Sequence, residues 1–293
     1  MPPPKLARSM DVHESIEDLR AGLRSRPHPV VLVPTMGALH EGHLSLVRVA
    51  RERAGAAGTV VVSIFVNPSQ FAPHEDFDAY PRPLLQDLDL CRSVGVDVVF
   101  APAREVMYAP DASVRVLEEQ LSQGLCGRSR PHFFSGVCTV VAKLFHIVQP
   151  EAAVFGEKDF QQLAVIRRMV RDLVWPIDII AAPIVRESDG LAMSSRNQYL
   201  DAESRRQAVV LHQALQRARE AVLGGERNPQ ALREQVVAEI QGAPLARIDY
   251  VEVVDPDALT PLPSIANQVL IALAVRFGST RLIDNLCLRK LPA

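Results

Sequence analysis

The chain has 293 residues, 48% of them hydrophobic, which is enough to bury a substantial core and suits either two domains or one large α/β domain. A formal net charge of −2 exerts no global pull on nucleic acid or an anionic membrane, so any anion site has to be built from locally placed cations. No apolar run reaches the roughly 18–20 uncharged residues of a membrane span, which argues against an ordinary membrane protein.

Leu and Ile spacing predicts a short helix over His13–Arg24, closed by Pro27 and Pro29. Val30 to Val33 then reads as a buried parallel strand, and from Gly42 and His43 the apolar positions Leu44, Leu46, Val47, Val49 and Ala50 read as a helix. Between them lies Pro34-Thr35-Met36-Gly37-Ala38-Leu39-His40-Glu41-Gly42-His43, a glycine-bearing turn. Ligands of open α/β sheets sit at the carboxyl ends of strands, and a helix amino terminus offers N–H groups and partial positive charge to an anion, so this turn is a plausible phosphate site. His40 and His43 are spaced to face one ligand, and an imidazole can donate to a phosphate oxygen. A helical zinc motif needs two histidines four apart with two residues between the Glu and the second His; only Gly42 separates them here.

Thr59–Val66 is a second β-rich run, and a right-handed βαβ unit brings the Asn67–Gln70 turn to the same sheet edge as the histidines. Gln70 offers a donor and an acceptor to a substrate bearing a hydroxyl and a carboxylate. A helical pattern through Leu84, Leu85, Leu88 and Cys91 carries Asp87, on spacing alone a solvated helix charge, and Val96–Ala101 is a further strand. Gly124–Gly136 reads as a basic loop ahead of a helix over Val137–Ile147. Ala152–Phe155 is a buried strand, and Gly156-Glu157-Lys158-Asp159-Phe160-Gln161-Gln162 turns it into a helix that runs through Met169. Lys158 is a point charge able to reach a phosphate, with Asp159 beside it; a surface Lys-Asp pair at a helix start is the lesser reading of the same spacing.

Ile177–Val185 is the last parallel-type strand, followed by Arg186–Asn197, whose small hydroxyls, Asp-Gly and Arg suggest a flexible, anion-friendly loop with a hinge around Arg186–Ser194. Beyond Asp201 come helices near Glu203–Val222 and Pro229–Ile240, then strands at Ile248–Val254, Val269–Val275 and Leu282–Leu286. The fold class expected is α/β: a Rossmann-like parallel sheet domain over residues 1–186 and a smaller α+β C-terminal lid domain over 187–293. Cys91, Cys126, Cys138 and Cys287 form no C-x-x-C pair, and Met1-Pro2-Pro3-Pro4-Lys5 lacks the apolar region of a signal peptide. Reduced thiols in a cytoplasmic protein are therefore expected.

The His-x-Gly-His turn after a first strand is similar to that of the nucleotidylyltransferase superfamily, whose members bind ATP there. The longer string Pro34–His43, together with Phe65-Val66-Asn67-Pro68-Ser69-Gln70-Phe71, Gly156–Gln162 and Met193-Ser194-Ser195-Arg196, resembles the pantothenate synthetases (pantoate–β-alanine ligases). The resemblance implies ATP-dependent condensation of pantoate with β-alanine through a pantoyl adenylate, releasing pyrophosphate and then AMP. It implies catalytic roles for His40, His43, Lys158 and Arg196. It implies ATP binding by Pro34, Met36, Gly37, His40, Gly42, His43, Gly156, Lys158, Asp159, Val185, Met193, Ser194, Ser195 and Arg196. Gln70 and Gln162 would contact pantoate, Asp87 would be a carboxylate associated with Mg2+ near the triphosphate, and the chain would form a homodimer. One segment departs from the pattern: relatives usually read Arg-Pro-Gly-His-Phe, whereas here His132 stands one place early and Phe133 fills its slot, although Arg130 and Gly136 match. Two other readings stay open: a nucleotidylyltransferase acting on a phosphorylated acceptor, and a catalytically silent ATP-binding or regulatory protein.

Overall fold

In a computed structural model that describes residues 9–72 and 75–291, six short apolar runs pair in parallel. They are β1 (Asp11–His13), β2 (Val30–Thr35), β3 (Thr59–Ile64), β4 (Val98–Phe100), β5 (Ala152–Gly156) and β6 (Asp178–Ala182), in the order β1-β4-β3-β2-β5-β6. The proline-rich opening Met1–Lys5 lies outside the described residues. Helices α1 (Ile16–Leu23), α2 (Glu41–Ala54), α3 (Leu84–Ser93), α4 (Arg104–Met107), α5 (Leu125–Ser129), α6 (Phe133–Val148) and α7 (Phe160–Asp172) lie between and beyond the strands.

The strands read as unbroken Val-rich runs because a parallel sheet is covered on both faces. Val31, Val33, Val60, Val62, Val99 and Val154 pack with Val47, Ala50, Leu88 and Cys91 of α2 and α3 in one core cluster. Strand order also fixes where a ligand can be met: from β2 the sheet grows through β3 to β4 on one side, and through β5 to β6 on the other. The carboxyl ends of β2 and β5 therefore flank the point where the winding reverses, the usual place for a ligand in an open α/β sheet. The turn after Thr35 and the residue Gly156 stand at that point.

One buried charge ties this sheet to α2. Asp97, 1% exposed, pairs with Arg51 and accepts from the Val60 amide at 2.8 Å, while Arg51 also donates to the carbonyls of Gly58 (2.8 Å) and Gly95 (3.0 Å).

The C-terminal part builds a different architecture. Helices α8 (Ala202–Gln207), α9 (Val210–Leu223) and α10 (Pro229–Gln241) accompany an antiparallel sheet of β7 (Ala246–Val254), β8 (Gln268–Phe277) and β9 (Thr280–Arg289). Leu211, Leu215, Leu232, Val236 and Ile240 share a core with Val251, Ile271, Leu273 and Val275. Among the described residues, no helix is long and apolar enough to cross a membrane.

The chain forms two compact units that are discontinuous in sequence. The described residues up to Leu117, with His132–Gly156 and Ile166–Ala182, make the first; Glu118–Pro131, Glu157–Val165 and the residues from Pro183 onward make the second. This differs from a single division at residue 186, because the 118–131 segment and the Lys158 turn bond to strands of the antiparallel sheet, as the Arg128 to Glu252 and Asn285 to Lys158 contacts illustrate.

Local departures from the expected elements have simple causes. β1 is three residues long, too short to show a period, and it occupies the start of the expected first helix; α1 begins later, with Ser15 Oγ accepting from the Asp18 amide at 3.0 Å. The loop expected at 124–136 contains α5, and α6 starts at Phe133. β6 stops at Ala182 because Pro183 cannot continue the ladder, and the expected 203–222 helix is broken into α8 and α9.

Truncating Arg51 leaves the Asp97 carboxylate buried without its cation. Arg51→Ala is expected to lower the unfolding free energy by about 3 kcal/mol, read by chemical denaturation.

Candidate active site

In the turn from Thr35 to His43 the amides of Gly37, Ala38, Leu39, His40 and Gly42 donate to side chains. Gly37 (φ 77°) and Ala38 (φ 49°) are both left-handed. The Gly37 N–H donates to Thr35 Oγ1 at 3.2 Å, and that hydroxyl donates to the Ser63 carbonyl at 2.8 Å. The N–H groups of Ala38 and Leu39 donate to the two carboxylate oxygens of Asp87, at 2.9 and 2.8 Å. Burial raises the Asp87 carboxyl above its ordinary range, and the two amide bonds pull the other way.

At the head of α2 the two histidines cap each other's turn. His40 Nδ1 accepts from the Gly42 amide at 3.1 Å, and His43 Nδ1 accepts from the His40 amide at 3.3 Å, a reciprocal box in which imidazoles replace the usual hydroxyl and carboxylate. The ring centroids are 4.1 Å apart. Because both Nδ1 atoms act as acceptors, the hydrogen-bond network assigns the proton of each neutral ring to Nε2. The pair is thereby set up as two N–H donors at a helix amino terminus, a chemistry suited to phosphate oxygens.

Beyond β3, Asn67 opens a tight 3-10 turn over Pro68–Gln70. Its Oδ1 accepts from the hydroxyls of Ser69 and Tyr108, both at 2.8 Å, and from the Ser69 amide at 3.3 Å. Its Nδ2 must then face the other way, where it donates to Gln70 Oε1 at 2.9 Å and to the Gly136 carbonyl at 3.1 Å. Gln70 is oriented in turn, with Nε2 as its donor end. The arrangement requires a glycine in α6: a Cβ at position 136 would lie 2.3 Å from the Ser69 carbonyl oxygen. Burial raises the Tyr108 phenol above its ordinary range, against the pull of its bonds to Ser69 and Asn67.

The second unit carries the remaining expected residues. Lys158 lies in a 3-10 turn (Glu157–Asp159) ahead of α7, its Nζ 3.5 Å from Asp159 Oδ2. Asn285 of β9, 5% exposed, donates to the carbonyls of both Glu157 and Lys158, at 2.9 and 3.0 Å. The two glutamines that follow differ in kind. Gln161 is buried and holds a neighbouring loop: its Oε1 accepts from the Cys126 amide (2.9 Å), and its Nε2 donates to the carbonyls of Leu121 and Gly124, both at 2.8 Å. Gln162 is half-buried, the more available of the two.

The segment expected to be a flexible loop, Arg186–Asn197, is closely bonded. Arg186 makes a two-point pair with the buried Asp284, at 2.6 and 2.9 Å, and donates to the Gly190 carbonyl at 3.0 Å. Arg205 bridges Glu187 and Asp189, and Asn197 Nδ2 donates to Glu187 Oε1 and the Ala192 carbonyl. Met193 donates its amide to the Val185 carbonyl at 3.0 Å, and Ser194 Oγ accepts from the Arg196 amide at 3.3 Å, capping the Ser195–Tyr199 turn. Charge pairing and backbone bonds hold much of this segment in the structure.

Within the first unit, then, Pro34, Met36, Gly37, His40, Gly42, His43, Gln70 and Gly156 stand at the carboxyl edge of the sheet. Within the second, Lys158 and Asp159 lie in the 3-10 turn and Gln162 in the first turn of α7, while Val185, Met193, Ser194, Ser195 and Arg196 lie in the segment leading into the Ser195–Tyr199 turn. His132 stands exposed at the start of α6, followed by Phe133 and the buried Phe134. Asp87 corrects the solvated-charge reading, since it is 1% exposed. Among the described residues no three His, Cys, Asp or Glu side chains gather closely enough to hold a metal ion.

A family model for pantoate–β-alanine ligase matches residues 9–287. The chain belongs to the pantoate–β-alanine ligase family. A pantothenate synthetase from Moorella thermoacetica is 53% identical over 282 residues, 95% of this chain and 99% of its own length. The crystal structure of pantothenate synthetase from Thermus thermophilus matches with a TM-score of 0.90 at 44% identity, covering 97% of this chain and 100% of that one. A pantoate–β-alanine ligase from Francisella tularensis, solved in complex with β-γ ATP and β-alanine, matches with a TM-score of 0.78 at 32% identity, over 95% of this chain and 97% of that one. In this pantoate–β-alanine ligase the residues missed in the sequence are Asn67, Tyr108, Gln161 and Asn285. The only signal available for two of them, Asn67 and Gln161, was their place inside a matching string.

Replacing Gln161 with Leu keeps the volume but strands one amide and two carbonyls. Gln161→Leu is expected to lower the unfolding free energy by about 3 kcal/mol and to expose the 121–126 segment to limited proteolysis.

Proposed function

We propose that this ligase joins pantoate to β-alanine in two steps, activating pantoate as an enzyme-bound pantoyl adenylate with loss of pyrophosphate, then letting the β-alanine amine displace AMP. The observation that carries the reading is the His40–His43 pair, two Nε2–H donors at the head of α2 where the sheet reverses its winding, in a chain of this family.

A carboxylic acid with a pKa near ~4 is ionised at neutral pH, so the first step needs no general base. Its obstacle is charge, because an anion must approach the α-phosphorus of a polyanion and the departing pyrophosphate gains negative charge. Fixed donors and cations answer that need, and His40, His43, Lys158 and Arg196 are assigned to it. Pro34, Met36, Gly37, Gly42, Gly156, Asp159, Val185, Met193, Ser194 and Ser195 are assigned to the nucleotide. Gln70 and Gln162 are assigned to pantoate, and the orientation imposed by Asn67 makes Gln70 a donor toward one of its oxygens. Holding both reactants turns the second attack into an effectively intramolecular one. The β-alanine amine has to lose a proton there, to solvent or to the departing AMP phosphate, and His43 is assigned as a proton donor through its Nε2–H.

Magnesium is read as arriving on the triphosphate, as part of the nucleotide substrate. Asp87 does not fit a resident metal centre, because both its oxygens are held by amides and no other ligating side chains gather with it among the described residues. A cytoplasmic homodimer completes the reading by analogy with the family.

Exchange of labelled pyrophosphate into ATP is expected with pantoate present and β-alanine absent, and no exchange without pantoate. Lys158→Ala is expected to slow that exchange by roughly 10²-fold while leaving the denaturation midpoint in place. Exchange that ignored pantoate, or a variant as fast as the parent, would refute the adenylate reading.

A further inference from the structure

Asp87 is the group whose surroundings disagree most with its expected role. It sits on α3, yet it is 1% exposed, while Leu85 two residues earlier is 80% exposed. The helix has turned its carboxylate inward and an apolar side chain outward.

What the carboxylate meets is a concavity made by the backbone. Two successive left-handed residues, Gly37 and Ala38, aim consecutive N–H groups to one side, the arrangement by which loops grip anions. Here the anion belongs to the chain itself. Asp87 takes the Ala38 and Leu39 amides on separate oxygens, and the turn is closed around it: a Cβ at Gly37 would lie 2.9 Å from Asp87 Oδ2 and 3.1 Å from Ile64 Cγ2. Ala38 would not hold a left-handed conformation without compensation, which costs a non-glycine residue about 1 kcal/mol or more. His40, cap of α2 and partner of His43, follows directly. Magnesium, by contrast, demands near-octahedral oxygen coordination, and nothing gathers around Asp87 to supply it among the described residues.

We propose that Asp87 is a positioning residue: its buried carboxylate is the built-in counter-anion of the Gly37–Leu39 turn, holding His40 and the head of α2 ready for the nucleotide, and it does not ligate magnesium. The inference rests on reading this turn as the nucleotide's.

Asp87→Asn tests it. The carboxamide sets an NH2 against one of the two amides, so one bond is lost, while removing a desolvated charge leaves the fold intact by circular dichroism. The KM for ATP is expected to rise about tenfold or more while the KM for pantoate changes less than about twofold, and excess magnesium does not restore the rate. Restoration by magnesium, or parental kinetics, overturns the inference. Should the variant not fold, the unaltered enzyme decides by amide NMR. Magnesium alone at millimolar concentration leaves the Ala38 and Leu39 resonances in place, and a non-hydrolysable ATP analogue moves those of Gly42 and His43. Movement of Ala38 and Leu39 by magnesium alone sinks the positioning role only, whereas an analogue that leaves Gly42 and His43 in place sinks the nucleotide reading and the inference with it.

Discussion

Six backbone amides between the end of β2 and the first turn of α2 find acceptors within the first unit. Gly37 uses Thr35 Oγ1, Ala38 and Leu39 use Asp87, and the His40, Gly42 and His43 amides use the two imidazoles and the His40 carbonyl. A buried amide left without a partner costs roughly 1–3 kcal/mol, so alternative conformations of the turn are closed off. The same bonds decide the chemistry. With Nδ1 of both rings accepting a backbone amide, the ring atom left to donate is Nε2.

Strands and strings were legible because their signals are local. Val30–Val33 and Thr59–Ile64 are continuous apolar runs, which only a sheet covered on both faces produces, and the parallel pairing from Val30 with Thr59 to Thr35 with Ile64 follows from the helix between them. The Asn67–Gln70 turn and the Lys158 turn announce themselves by polar residues directly after a strand. Asp87 carries no such mark. Hydropathy puts Leu85 inward and Asp87 outward, and the structure does the reverse, because the deciding partners are two amides nearly fifty residues earlier in the chain.

The same blindness applies to the carboxamides. Gln161 bonds the Cys126 amide 35 residues away, and Asn285 bonds the Glu157 carbonyl across 128. Composition records a polar residue in each case but says nothing of which backbone group it serves. The contacts of the 186–197 segment were hidden for a similar reason. Its Asp, Gly and Ser residues do favour turns, but its charged side chains are bonded to Asp284 and Arg205, farther along the chain and unmarked by any local signal.

A common device recurs within each unit: a buried polar side chain fixes a short turn, Asn67 through the Ser69 amide and the Gln70 side chain, Asn285 through the Glu157 and Lys158 carbonyls, and Asp87 through the Ala38 and Leu39 amides. Two of the three are neutral amides. Asp87 is the exception, and its surroundings explain why it is tolerated. Its two oxygens are each met by an N–H dipole from the left-handed turn, so the negative charge is answered where it arises. A neutral Asn at that place cannot do the same, because it has one acceptor oxygen where the turn presents two donors. The charge is the consequence of needing two acceptors in one small side chain, and the left-handed backbone at Gly37 and Ala38 is the consequence of aiming both amides at it.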